Sequence, residues 1–211
     1  MSRTRIKICG LREPAHARIA AEEGADAIGL VFHKPSPRYI EMREAATIAQ
    51  ALPPFVAAVG LFVNLPAADV HAILREVPLD LLQFHGDETP EYCEQFGRPY
   101  IRVAKMGPGV DLLEYAERFS RAKALIVDAD VPGVAGGTGE TFDWSAIPRS
   151  VPLPLILSGG LNARNVGRAM REVKPWAVDV SSGVESARGV KDPARIVEFI
   201  RSVRSEDAKP G

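Results

Sequence analysis

The chain has 211 residues, a formal net charge of −1 and 46% hydrophobic residues. This length predicts one sizeable globular domain, or at most two small ones. The balanced charge gives no excess of positive charge that would indicate binding to nucleic acid or to an anionic membrane. No apolar run approaches the ~20 residues that a spanning helix needs, and residues 1–5 lead into a strand without the apolar core of a signal peptide. We therefore expect a cytoplasmic protein with no nucleic-acid partner and no membrane partner.

The usage of cysteine and histidine argues against a disulfide framework and against a metal centre. The two cysteines, Cys9 and Cys93, lie far apart in the chain and form no ligand spacing. The four histidines are scattered and show no zinc-ligand pattern. Two free thiols fit a reducing compartment, and we expect no bound metal.

Apolar, strand-like runs alternate with amphipathic, helix-like segments along the whole chain. Several of the apolar runs are continuous, which is typical of strands buried on both faces of a parallel sheet. We predict strands at 6–9, 27–32, 56–63, 81–84, 100–104, 124–128, 155–158 and 177–180. We predict helices at 14–23, 43–52, 66–76, 90–96, 112–119, 163–173 and 193–203, with a short one near 143–147. Asn162 and Asp192 are the expected caps of the last two helices.

Eight strand–helix units in one short chain predict an α/β fold, a single (β/α)8 TIM barrel with eight parallel strands. The barrel domain is expected to cover residues 1–204, and residues 205–211 a polar, frayed C-terminal tail. The alternative is an open doubly wound sheet. That fold normally carries a G-x-G-x-x-G turn after its first strand, and none follows Gly10.

Two of the predicted strands end in a residue that can move protons. Barrel enzymes build their sites at the C-terminal ends of the strands. Cys9 ends the first strand, where its thiolate can serve as a base or nucleophile; the alternative is a small buried hydrophobic residue. Asp128 ends the sixth strand, where desolvation raises its proton affinity and suits a general acid. A helix cap or an ion-pair partner is the alternative for Asp128.

The loops after strands seven and eight predict a phosphorylated ligand. They read Ser158-Gly159-Gly160 and Ser181-Ser182-Gly183. Glycine lets backbone N–H groups approach an anion closely, serine adds hydroxyl donors, and these two loops commonly bind phosphate in barrels.

Three further features could belong to the same site. Arg38 follows Pro35 and Pro37 in the loop after the second strand, and it can bind a carboxylate in bidentate fashion, although a lone arginine is more often a surface residue. His85 could line the pocket or transfer a proton, and a structural histidine is the alternative. The glycine-rich segment 133–144 predicts a mobile loop that closes over a substrate, or else a flexible connection.

These motifs, in this order and at this spacing, resemble the phosphoribosylanthranilate isomerases of tryptophan biosynthesis. The resemblance extends to about residue 203. Its motifs are KICG (7–10), GADAIGLVF (24–32), SPRYI (36–40), FVNLP (62–66), LQFHGDE (82–88), IVDAD (126–130), GGTGETFDW (136–144), LSGGLN (157–162) and VDVSSGVE (178–185).

The resemblance implies an Amadori rearrangement of an aminoaldose to an aminoketose, with no redox step and no cofactor. It implies that Cys9 is the general base and Asp128 the general acid. It also implies a substrate-binding set, in which Arg38 takes the anthranilate carboxylate, His85 has a less defined role, and the phosphate cradle consists of Gly159, Gly160, Ser182 and Gly183.

Three rival functions remain at this point. The histidine-pathway isomerase would be expected to carry an aspartate in place of Cys9 and a second phosphate cradle. A barrel like thiamin phosphate synthase would need an acidic metal site. A non-catalytic barrel that binds a sugar phosphate would need neither Cys9 nor Asp128. Whether the chain is a monomer or a homodimer also stays open, with apolar residues near Phe55 as the candidate contact.

Overall fold

A computed structural model of the chain describes residues 3–107, 109–129 and 143–209. Eight parallel strands close into a barrel in chain order, because each strand pairs with the next and β8 pairs with β1. They are β1 (Arg5–Cys9), β2 (Ala27–Val31), β3 (Ala57–Phe62), β4 (Leu81–Phe84), β5 (Tyr100–Met106), β6 (Leu125–Ala129), β7 (Leu155–Leu157) and β8 (Ala177–Val180). The predicted (β/α)8 barrel is confirmed, and the open doubly wound sheet is wrong.

Helices lie on the outside of the barrel between successive strands. They are α1 (Pro14–Glu23), α2 (Met42–Ala51), α3 (Ala67–Glu76), α4 (Pro90–Glu94), α5 (Leu112–Arg118), α6 (Val166–Val173) and α7 (Pro193–Asp207). Between β6 and β7, the described residues contain only a 3₁₀ turn at Trp144–Ala146. A second 3₁₀ turn at Ser182–Val184 follows β8 and leads into an antiparallel hairpin of β9 (Glu185–Ala187) and β10 (Val190–Lys191), which was not predicted.

A side-chain cap explains where α7 begins, but not where α6 begins. The Asp192 side chain accepts hydrogen bonds from the N–H groups of Ala194 and Arg195, as predicted. The predicted cap at Asn162 is wrong, because α6 begins at Val166 and is preceded by Asn165. The Asn162 side chain instead accepts a hydrogen bond from the N–H of Arg164, a local turn that competes with helix initiation.

The C-terminal helix is longer than the sequence pattern predicts. α7 continues to Asp207, so the boundary expected at residue 204 falls inside the helix. The Asp207 carboxylate accepts hydrogen bonds from the N–H and the hydroxyl of Thr4 at 2.9 and 2.8 Å. This contact with the start of β1 orders residues that look like a polar, frayed tail in the sequence.

No helix in the described ranges is both long and apolar enough to cross a bilayer.

Side-chain alternation along the strands decides which residues face the barrel interior. In β1, Ile6 and Ile8 pack in the cluster that joins the sheet to its surrounding helices, and Lys7 and Cys9 take the opposite face. The inward face is partly apolar, through a cluster of Val59, Ile101, Val103, Ala124, Ile126, Ile156 and Ala177. The polar inward residues therefore lie at the C-terminal ends of the strands, and this apolar cluster fills the barrel interior beneath them.

Candidate active site

A cleft opens at the C-terminal ends of the barrel strands. Its volume is about 660 Å³, counted with the space open to solvent. The predicted site residues that line it come from six loops or strand ends and are Cys9, Arg38, His85, Asp128, Gly159, Gly160 and Ser182. Gly183 follows Ser182 directly. The structure therefore brings together residues that are far apart in the sequence.

Cys9 is buried and 4% exposed at the end of β1. The neighbouring strand makes room for its sulfur through Gly29, where a Cβ would lie 2.7 Å from Sγ. Burial raises the pKa of the Cys9 thiol; the ammonium groups of Lys7 and Lys191 oppose this shift, and the carboxylate of Asp179 adds to it. The ionisation of the thiol thus depends on a balance between desolvation and two nearby cations.

Lys7 and Asp179 form a buried ion pair in the floor of the site, and the sequence analysis gave neither residue a role. The two residues face each other in the β1–β8 register, and Nζ lies 2.8 Å from Oδ1. Burial lowers the pKa of Lys7, but Asp179 and Cys9 outweigh it, so that the net shift is upward and the ammonium is retained. The two-residue period of a strand could have revealed them. Lys7 lies two residues before Cys9, and Asp179 lies two residues before Ser181, so each is a charged residue on the inward face of an otherwise apolar strand.

Asp128 has the properties of a carboxylic acid that keeps its proton close to neutral pH. Burial raises its pKa to about 6; the charge of Asp179 adds to the shift, and a hydrogen bond from the Ala129 N–H opposes it. That hydrogen bond, from the Ala129 nitrogen to Oδ1, measures 2.9 Å. A raised pKa in a cleft is the condition that lets a carboxyl group donate a proton during a reaction.

His85 lies beside Asp128 as a neutral imidazole. Its Nε2 is 3.5 Å from Asp128 Oδ2, but burial, with smaller effects from Lys105 and Lys7, lowers the pKa of His85 to about 3. The pair is therefore not an ion pair at neutral pH. Because a charged His85 would lower the pKa of Asp128, its neutrality preserves the acid.

The two glycine loops are shaped by close backbone approaches. Gly159 and Gly160 have φ angles of 81° and 64°, in the left-handed region that favours glycine. A Cβ at Gly159 would lie 2.8 Å from the Ala129 nitrogen, and a Cβ at Gly183 would overlap the carbonyl oxygen of Leu161. The loops after β7 and β8 are thus in contact, and their backbone forms one wall of the cleft.

Arg38 is 6% exposed, so the alternative of a surface arginine is wrong. Its Nε and Nη2 donate to the two carboxylate oxygens of Glu185 at 2.6 and 2.9 Å. The loop that carries Arg38 packs tightly on β1, since a Cβ at Gly10 would lie 2.8 Å from the Arg38 Cδ. The guanidinium lines the cleft in a fixed orientation.

Residues 130–142 lie outside the described residues. The prediction of a mobile, glycine-rich loop falls mostly on this segment and stays a prediction. The described residues continue from Asp143, whose side chain accepts a hydrogen bond from the N–H of Ser145 and so begins the 3₁₀ turn.

Comparison with known proteins identifies the family. A family model described as N-(5'-phosphoribosyl)anthranilate (PRA) isomerase matches residues 6–202. The N-(5'-phosphoribosyl)anthranilate isomerase of Azotobacter vinelandii is 55% identical over 205 residues, which cover 97% of this chain and 100% of that protein. This chain belongs to the PRA isomerase family. It is an isomerase of tryptophan biosynthesis, as the resemblance predicted, and the three rival functions are excluded.

Solved PRA isomerases share the fold over nearly the whole chain. One, in complex with reduced 1-(o-carboxyphenylamino)-1-deoxyribulose 5-phosphate, is 37% identical with a TM-score of 0.83 and covers 96% of this chain and 99% of its own. Another contains monomers of the dimeric isomerase of Thermotoga maritima and is 35% identical with a TM-score of 0.83, over the same 96% and 99%.

Proposed function

We propose that Asp128 and Cys9 perform the proton transfers of the Amadori rearrangement, with a phosphorylated substrate held between them. The observation that carries this proposal is that the cleft holds a carboxyl group and a thiol at the ends of two different strands. Asp128 has a pKa raised to about 6, as an acid needs. Burial raises the pKa of the Cys9 thiol, while the ammonium groups of Lys7 and Lys191 oppose that shift and attract the thiolate once it forms. β6 and β1 are three strands apart around the closed barrel, so the two side chains approach a ligand from different sides.

The reaction then proceeds by two proton transfers. Asp128 gives its proton to the furanose ring oxygen of the substrate, and the C1′–O bond breaks as the anilino nitrogen forms a Schiff base with C1′. The Cys9 thiolate next removes the proton from C2′, and the electron pair of that C–H bond moves to give an enolamine. The enolamine loses the proton of its C2′ hydroxyl and gains a proton at C1′, which gives the ketone. One proton then passes from the Cys9 thiol to the Asp128 carboxylate through solvent, so that both groups are restored and no redox partner is needed.

The remaining residues are proposed to bind the two anionic ends of the substrate. The backbone N–H groups of Gly159, Gly160 and Gly183, with the Ser182 hydroxyl, would bind the phosphate. Asn165 supports this role, since its side-chain amide donates to the Gly160 carbonyl at 2.9 Å and fixes the orientation of that peptide. Arg38 would bind the anthranilate carboxylate, and neutral His85 would line the cleft next to the acid.

Turnover of PRA by the purified chain, without added metal or cofactor, tests the activity directly. We expect kcat/KM of at least about 10⁴ M⁻¹s⁻¹, the lower end of the usual range for enzymes. The measurement follows the consumption of PRA and the appearance of the ketone product. A folded chain that converts no PRA would contradict the proposal.

The pH dependence of kcat/KM is expected to be bell-shaped. The active form needs Asp128 protonated and Cys9 ionised, whereas the pKa of Asp128 is about 6 and that of Cys9 is raised above its usual range. The fraction in this form rises with pH until Asp128 begins to ionise near pH 6, stays level, and falls only above the thiol pKa. The two pH values at which the profile bends are therefore properties of the coupled Asp128–Cys9 pair and not of either residue alone.

The substrate phosphate also titrates at about pH 6, so a control is needed. Binding of the reduced product analogue, which carries the same phosphate but undergoes no proton transfer, should be measured over the same pH range. A profile for kcat/KM that falls steadily above pH 6, or one that matches the binding profile throughout, would contradict the assignment.

Replacing Gly183 by alanine is expected to weaken substrate binding. The added Cβ overlaps the Leu161 carbonyl oxygen and must separate the two loops of the proposed phosphate cradle. Loss of one or two hydrogen bonds to a charged group predicts a rise in KM of about tenfold or more, with a smaller change in kcat. Gly97→Ala is the matched control, because Gly97 has a φ of +62° but a Cβ there meets nothing within 4 Å. An unchanged KM in folded Gly183→Ala would count against the cradle.

We also propose that the chain forms a homodimer and works in the cytoplasm. Phe55 supports the first part: its side chain is 101% exposed and its φ is +72°, so a turn before β3 presents a bare aromatic ring to solvent. We expect the wild type to sediment as a dimer and Phe55→Asp as a monomer; a monomeric wild type would overturn this.

A cytoplasmic location is supported by Cys9, because a thiol base must stay reduced.

A further inference from the structure

The β9–β10 hairpin carries a buried carboxylate, Glu185, next to the cleft. Glu185 is 6% exposed and is the first residue of β9. It is not among the residues that line the cleft, so its effect on a substrate must pass through another side chain.

Four donors converge on the Glu185 carboxylate. Arg38 donates through Nε and Nη2 at 2.6 and 2.9 Å, Lys191 Nζ lies 2.8 Å from Oε1, and the Gly189 N–H donates at 3.0 Å. Burial raises the pKa of Glu185, but the hydrogen bond from Arg38 and the charge of Lys191 outweigh it and bring the value to about 2. The carboxylate is therefore ionised throughout the working range of the enzyme.

The same hairpin also holds the loop that carries Arg38. A Cβ at Gly189 would lie 2.6 Å from the Pro37 carbonyl oxygen, so the hairpin tip packs against the residue just before Arg38. Arg12, in the segment between β1 and α1, also binds the hairpin tip, because its Nη2 donates to the Gly189 carbonyl at 3.0 Å. The hairpin after β8 thus fixes both the backbone and the guanidinium of the arginine after β2.

A bidentate pair with a carboxylate fixes the plane of a guanidinium, which a single contact or a lysine does not do. Since the pair is buried and already formed, the side-chain entropy of Arg38 is lost on folding and not on substrate binding.

We propose that Glu185 is a specificity-determining positioning residue, which holds the Arg38 guanidinium in the orientation that accepts the carboxylate of the substrate's aromatic ring. This inference rests on the role proposed for Arg38. The substrate carboxylate adds to the contact with Glu185 and does not replace it. The cluster of Arg38, Lys191 and Glu185 carries one net positive charge, which favours a further anion at the cleft.

The test compares two substrates, PRA and N-(5-phosphoribosyl)aniline, which lacks the ring carboxylate. It uses Arg38→Met, Glu185→Gln and the double variant, with steady-state kinetics on each. We expect Glu185→Gln to lower kcat/KM for PRA by about tenfold to a hundredfold, mainly through KM, and to leave kcat/KM for the aniline almost unchanged. The double variant should be no worse on PRA than Arg38→Met.

Glu198→Gln is the matched control, because Glu198 is an exposed glutamate of α7; neither substrate should be affected. If Glu185→Gln does not fold, Glu185→Asp carries the same test, since it keeps the charge but withdraws the carboxylate from Arg38. An equal loss on both substrates would show a general structural role and overturn the inference. If Arg38→Met itself does not discriminate between the substrates, the role of Arg38 fails and the inference fails with it, while PRA turnover by the wild type still tests the activity separately.

Discussion

Cys9→Ala is expected to lower kcat/KM for PRA by about 10²- to 10⁴-fold, the usual contribution of a positioned general base. No other thiol among the lining residues of the cleft can replace it. Alanine leaves the ammonium groups of Lys7 and Lys191 in place but gives them no atom that can accept the C2′ proton. Steady-state kinetics and circular dichroism on the same sample separate the loss of chemistry from loss of fold.

Cys93→Ala provides the matched control for the thiol. Cys93 is the buried residue of α4 in the hydrophobic core, and burial raises the pKa of its thiol to about 12. We expect Cys93→Ala to lower the melting temperature slightly, through the cavity it leaves, and to keep the wild-type kcat. Activity of Cys9→Ala near that of the wild type would remove Cys9 from the mechanism.

Asp128→Asn is expected to cause a loss of similar size, about 10²- to 10⁴-fold, because an amide N–H is far too weak an acid to protonate the ring oxygen. The amide has nearly the same shape as the carboxyl group, so the cleft should keep its geometry. The control is Asp143→Asn at the exposed start of the 3₁₀ turn, which should leave kcat unchanged. Substantial turnover by Asp128→Asn would assign the acid to another group.

The same substitution has an expected effect on stability, with the opposite sign. The folded-state pKa of Asp128 is about 6, above its ordinary value of 3.8, so the folded protein binds this proton more tightly than the unfolded chain does. Stability is therefore lost as pH rises from about 4 to 6, and the full penalty is present at pH 8. Asp128→Asn should melt at a higher temperature than the wild type at pH 8, and the difference should disappear near pH 4. A lower melting temperature at pH 8 would contradict the raised pKa.

Local pattern was sufficient for the fold and for the strand-end residues. Continuous apolar runs of strand length identify buried parallel strands, and the residue that ends such a strand faces the site in any barrel. That reasoning placed Cys9, Asp128 and the two glycine loops at one cleft. It failed for the start of α6, where the Asn162 side chain forms a local turn and the helix begins four residues later, at Val166.

The sequence by itself determined the elements, their order and the strand ends at which chemistry is possible, because these depend on neighbours a few residues apart. Only the tertiary structure decided which charges meet. Lys7 and Asp179 are 172 positions apart and pair only because β8 closes the barrel against β1. Arg38 and Glu185, 147 positions apart, meet only where the hairpin after β8 reaches the loop after β2. The pKa values of Cys9 and Asp128 follow from the same closure, since burial and charge partners exist only once distant strands have come together.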